Sequence, residues 1–154
     1  MRRAVFLFAI MLFIAFSGSN PAKAATVSAK EPDKILHIAS GFGSATLGKD
    51  GQGDPKIDGR IDGTKYAVIF YGCKDNENCT SIQFVAYWKM EPASVDSMNE
   101  WNSKKRFSKA LIDSDNDTVL SMDVPLAFDV PVSHLENCFE WWQLALRGFN
   151  EHIK

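Results

Sequence analysis

Three histidines and three cysteines are all that 154 residues offer for the chemistry these side chains carry. His37, His134 and His152 are scattered along the chain. No G-x-S-x-G nucleophile elbow is present. Gly41-Phe42-Gly43 is too short to form a phosphate-binding glycine loop. Cys73 and Cys79 are separated by five residues, wider than usual zinc-ligand spacing, and no nearby Cys or His pair completes a set of four. A C-x-x-C redox pair is also missing. The sequence therefore nominates no catalytic residues, no metal site and no cofactor.

Basic charge is sparse too. Lys and Arg number 17 against 19 Asp and Glu, a net charge of −2. Lys104-Lys105-Arg106 is the only basic run, too little for a nucleic-acid surface. Asp113, Asp115 and Asp117 open like a calcium-binding EF-hand loop. Thr118 then stands where that loop needs Gly, and Val124 where it needs Glu, so a turn between strands is expected instead.

One long apolar run is present. Ala4 to Phe16 is uncharged and follows Arg2-Arg3, and Ala22-Lys23-Ala24 supplies a small-x-small cleavage pattern. This combination predicts a cleavable secretory leader over residues 1–24 and a single mature domain over 25–154. The run falls short of the roughly 20 residues that span a bilayer, although an uncleaved anchor is the competing reading. No second segment approaches membrane length. Without the leader, 14 basic residues face 19 acidic ones, a net charge of −5. The expected location is periplasmic or secreted.

Along the mature chain, residues 25–30 read as a flexible N-terminus. Pro32 suits the first turn of a helix, with Ile35, Leu36, Ile38 and Ala39 on one side and Gly41 and Gly43 after its end. A short strand is expected over Ser44 to Lys49, then a loop through Pro55. Strands at Lys56–Arg60 and Lys65–Tyr71 are joined by the hairpin signal Asp62-Gly63. The second is apolar on both faces, so it belongs in the sheet centre. Thr80 to Trp88 alternates with period two. Ser94 caps a short helix to about Lys104, strands follow at Phe107–Ile112 and Val119–Val124, and Pro125–Pro131 connects to a last helix. There Ser133-His134-Leu135-Glu136 reads as a capping box. Leu135, Cys138, Phe139, Trp142, Leu146 and Phe149 form one apolar stripe. The order α-β-β-β-β-α-β-β-α, with tight turns between neighbouring strands, predicts an α+β domain: a mostly antiparallel twisted sheet of five to six strands with helices packed on it.

In an oxidising compartment Cys73 and Cys79, flanking a polar hairpin loop, are expected to pair as a disulfide that fixes strand register. Cys138 is left over, either as a core thiol or as a thiol that pairs between molecules. Asn99 and Asn102 flank Trp101. They either bind a peptide backbone or tie their helix end to the next strand. On the last helix, Leu144 points almost opposite Trp142, and Trp141 with Gly148 lies off to one side. This second apolar patch is either buried or a partner-binding surface, with a homodimer as one option.

Several ordered pieces resemble the YbjN-type proteins, a family of bacterial sensory transduction regulators. They are Gly59-Arg-Ile-Asp-Gly63 with Tyr66, Phe70-Tyr-Gly-Cys73, Cys79-Thr-Ser-Ile-Gln-Phe84 with Trp88, Met98-Asn-Glu-Trp-Asn102 with Arg106-Phe107, Met122-Asp-Val124, and the Trp-bearing final helix. Together they span Asp50 to Phe149. The resemblance implies a fold like that of type III secretion chaperones and a regulatory or chaperone-like role in binding protein, not catalysis. Within that motif Asn99, Trp101, Asn102, Arg106 and Phe107 are expected to be structural. The leader sets this chain apart from relatives that lack one.

Overall fold

The computed structural model describes residues 24–89 and 93–154. The predicted leader, apart from Ala24 at its boundary, lies outside the described residues. The elements run β1 (Thr26–Val27), α1 (Pro32–Ser40), β2 (Ser44–Lys49), β3 (Pro55–Ile61), β4 (Thr64–Tyr71), β5 (Ser81–Trp88), α2 (Val95–Lys104), β6 (Lys109–Ile112), β7 (Thr118–Pro125), β8 (Val130–Pro131) and α3 (Val132–His152). Six strands form one antiparallel sheet in the order β2-β3-β4-β5-β7-β6, and β1 pairs with β8 in a small ribbon. This is the expected α+β architecture, with β4 inside the sheet.

Local chemistry sets the turns. Asp62 and Gly63 adopt φ of 48° and 84°, the left-handed pair that matches the twist of two antiparallel strands. The loops Asp50–Asp54 and Asp113–Asp117 share one construction. In each, the first backbone N–H donates to the carbonyl of the last residue. The first carboxylate accepts from the amides two and four residues on. The left-handed position falls to Gly53 in one loop and to Asn116 in the other.

One face of the sheet carries the core. Val68, Phe70, Ile82, Phe84 and Leu120 are at most 1 % exposed, as are Leu135, Phe139, Trp142, Leu146 and Phe149 of α3. Phe84 lies between Phe139 and Trp142, with ring centroids 4.7 and 5.6 Å away. Burying these side chains stabilises the fold by roughly 1.5–3 kcal/mol each. The indole N–H of Trp88 donates to Asn150, whose amide donates to Thr64. Asp62 accepts from Arg147 and Gln143. The turn end of β3–β4 is thus tied to α3, and the Arg147 guanidinium holds the Asp62 carboxyl below the usual range. On the opposite face Ala67, Val85 and Val119 gather with Ile69 and Leu111, without any helical side chain.

Three expectations need correction. Residues 25–30 are not flexible: Val27, Ser28 and Ala29 are buried, because β1 pairs with β8 and Ala29 donates to the carbonyl of Leu126. The Ser133 capping box does not form. The Val132 N–H donates to the carbonyl of Ala25, so α3 starts two residues earlier, behind Pro131, without a side-chain cap. The sixth strand begins at Lys109 rather than Phe107.

Gly59 faces Tyr66 across β3 and β4. A Cβ placed on Gly59 would stand 2.5 Å from the Tyr66 ring, so the glycine makes room for the aromatic ring. The ring is held against Trp142, and burial pushes its hydroxyl pKa up to about 12. Gly59→Ala should therefore cost about 1–3 kcal/mol by overpacking. Gly48→Ala, where nothing lies within 4 Å, should stay within about 0.5 kcal/mol of wild type. Denaturant midpoints at constant slope measure both.

Candidate functional site

The residues singled out in sequence converge at the corner where α2 turns into β6 and meets α3. Ser94 accepts from the Ser97 amide and starts α2. Met98 and Trp101 are the buried side chains of that helix. The Trp101 ring packs 4.9 Å from Phe149. Its N–H donates to Ser108, and the Lys105 ammonium lies 5.3 Å from the ring centre. Gly148 of α3 faces this ring, at 3.4 Å from where its Cβ would be. Gly148 therefore admits Trp101 and does not join a free patch with Trp141.

Asn102 acts on the sheet edge. Its side-chain amide donates to the Ala110 carbonyl and its oxygen accepts from the Ala110 N–H, at 2.9 and 2.8 Å. β6 is the last strand of the sheet, so one side chain fills the outward-facing backbone pair that an added strand would use. Asn99 is exposed and makes no side-chain hydrogen bond among the described residues. The two asparagines of the motif are not equivalent.

Arg106 and Phe107 lie outside any strand. The Trp101–Ser108 and Asn102–Ala110 bonds hold the chain on either side of Phe107, which turns outward. Phe107 is 50 % exposed and its ring lies 4.9 Å from that of Trp141, itself 43 % exposed. The Arg106 guanidinium stands 5.3 Å from the Phe107 ring. Leu144, 56 % exposed, lines the groove on one side of this pair. On the other side a groove of about 500 Å³ runs toward Lys109, Val124 and Cys138. The structure thus brings together Trp141, Leu144, Arg106 and Phe107. Phe107 was expected to be structural. A large aromatic residue beside a cation, just ahead of an edge strand, was the signal for its surface position.

The remaining chemistry is spent on structure. Cys73 and Cys79 form a disulfide. It closes a turn in which Asp75 and Asn76 are left-handed, and Asn76 donates to the Gln52 carbonyl and to Asp54, joining two hairpin tips. Cys138 is half-buried and free. Burial pushes its thiol pKa up, the opposite of an activated nucleophile. His152 Nε2 lies 3.1 Å from Ser97 Oγ but 2.8 Å from the Ser97 carbonyl. The ring thus ties the end of α3 to the first turn of α2. The Asp113 carboxylate accepts from the amides of its own loop. No group of three or more metal-ligating side chains occurs among the described residues. No described helix is long and apolar enough to cross a membrane.

The described residues thus form a one-sided α+β sheet with a doubly bonded edge strand and an exposed aromatic ridge. Residues 31–154 match the YbjN family model, described as putative bacterial sensory transduction regulators. The chain belongs to the YbjN family. The match also takes in α1, beyond the stretch that the sequence pieces covered. No curated protein and no solved structure gives a match.

Removing the Asn102 amide orphans the Ala110 N–H and C=O. Asn102→Ala should cost about 1–3 kcal/mol, the penalty of leaving such groups unmade. Asn99→Ala should change stability by less than about 0.5 kcal/mol. Equal effects in chemical denaturation would contradict the edge role of Asn102.

Proposed function

We propose that this chain is an exported, non-enzymatic regulator, chaperone-like in that it works by holding another protein on its surface. The observation that carries the reading is the Phe107–Trp141 ridge with Leu144 beside it. These are three large apolar side chains left in solvent by a fold that buries every other aromatic residue of α3. Isolated exposed apolar residues are ordinary, but an aromatic pair in contact and rimmed by polar groups is what protein interfaces use as anchors. Membership of a family of regulators supports the same direction. Export is supported by the leader sequence and by the Cys73–Cys79 bond, since disulfides persist in oxidising compartments.

The competing reading is a small ligand-binding module or an enzyme. It would need polar groups converging in a recessed pocket, whereas the grooves beside the ridge are open and largely apolar.

Photo-crosslinking in the producing cell tests the proposal. With p-benzoylphenylalanine at position 144, discrete crosslinked protein bands are expected. With the same group at Tyr87, equally exposed on the far face of the sheet, they are not. A band at twice the chain mass would identify a homodimer. No product at 144, or the same products at both positions, would refute contact through α3.

A further inference from the structure

The ridge carries an uneven charge. Lys105, Arg106 and Lys109 all line its grooves, all are exposed, and none makes an ion pair among the described residues. Among the other described cations, Lys34, Lys56, Lys89, Lys104 and Arg147 are each paired with a carboxylate, while Lys30, Lys49, Arg60, Lys65, Lys74 and Lys154 are not. What distinguishes the ridge is three unpaired cations gathered around two apolar grooves. The only acid lining either groove is Asp123, which accepts from Gln83. A chain with a net charge of −5 over residues 25–154 therefore presents three unpaired cations around its exposed aromatic pair.

We infer that the ridge binds an acidic polypeptide segment that offers apolar side chains to the grooves beside Phe107 and Trp141 and carboxylates to Lys105, Arg106 and Lys109. This rests on the contact reading and names its partner class. Charge complementarity selects this occupant. A second copy docking the same face about a two-fold axis would bring both sets of three cations into one interface, with only Asp123 of each copy to offset them, a repulsive arrangement. An anionic membrane would meet the cations well. However, it cannot fill two grooves on either side of a ridge, and it would face Asp123 in the larger one.

Fluorescence anisotropy with a labelled peptide alternating Glu with Leu and Phe tests the inference, with a Lys-for-Glu peptide and phosphatidylglycerol vesicles as the other arms. The acidic peptide should bind, and more weakly as salt rises from about 50 to 300 mM. The Lys105→Glu/Arg106→Glu/Lys109→Glu variant should lose about tenfold in affinity, at about 0.5 kcal/mol for each exposed pair. Phe107→Ala should weaken binding while leaving its dependence on salt unchanged. All four substitutions are at exposed positions, and unchanged thermal unfolding checks that the variants fold. Equal affinity for the two peptides, binding unmoved by charge reversal, vesicle binding without peptide binding, or concentration-dependent dimerisation through Trp141 would each overturn it. If position 144 still crosslinks to protein in cells when the peptides fail to discriminate, the contact reading stands and the acidic partner class falls.

Discussion

The fold depends on one helix filling one face of one sheet. Alpha3 places Trp142 and Phe139 around Phe84, and Phe149 between Trp88 and Trp101. The sheet has a second face, but only side chains of its own strands gather there. All the burial that holds helix to sheet is thus concentrated on one side, and a helix can turn only about a third of its circumference toward a core. Trp141 and Leu144 are the consequence. They sit on the same 21-residue helix as the deepest core residues, yet the stripe leaves them outside.

The second constraint is the sheet edge. Beta6 is short, one side of its backbone has no partner strand, and an unprotected edge invites another strand. Asn102 closes that position with a single amide. The same corner orients Trp101 through Ser108 and pushes Phe107 out against Trp141. One motif, Met98 to Phe107, therefore does two things: it guards the edge and it builds half of the aromatic ridge. Under the proposed contact role both matter, because backbone pairing at β6 would compete with recognition at the ridge.

Much of this was legible in the sequence, for physical reasons that differ by element. Strands β3 to β5 announce themselves because Asp62-Gly63 and the Cys73–Cys79 loop carry their own turn chemistry, because Tyr66–Tyr71 is an unbroken apolar run, and because Ile82–Trp88 keeps its period of two. Alpha3 shows in its stripe. What could not be read is long-range. Strands β1 and β8 are two residues each and exist only because two segments far apart in sequence meet, with Ala25 accepting from Val132. That same bond overrode the local capping box at Ser133. Gly148 looked like part of an exposed patch because its partner, Trp101, lies far away in sequence. Phe107 looked like a strand residue because it is an aromatic residue shortly before the apolar run Ala110-Leu111-Ile112. Its outward turn depends on hydrogen bonds to Trp101 and Asn102 that no local pattern contains.

The central claim is that α3 has two faces with separate tasks, one for folding and one for contact. Equilibrium unfolding of neighbouring substitutions measures this most directly. Trp142→Ala should cost about 3–5 kcal/mol, as for other buried aromatic side chains. Trp141→Ala and Leu144→Ala should each cost less than about 1 kcal/mol, as for surface positions. Comparable losses for Trp141 and Trp142 would contradict the account, because the ridge would then be part of the core.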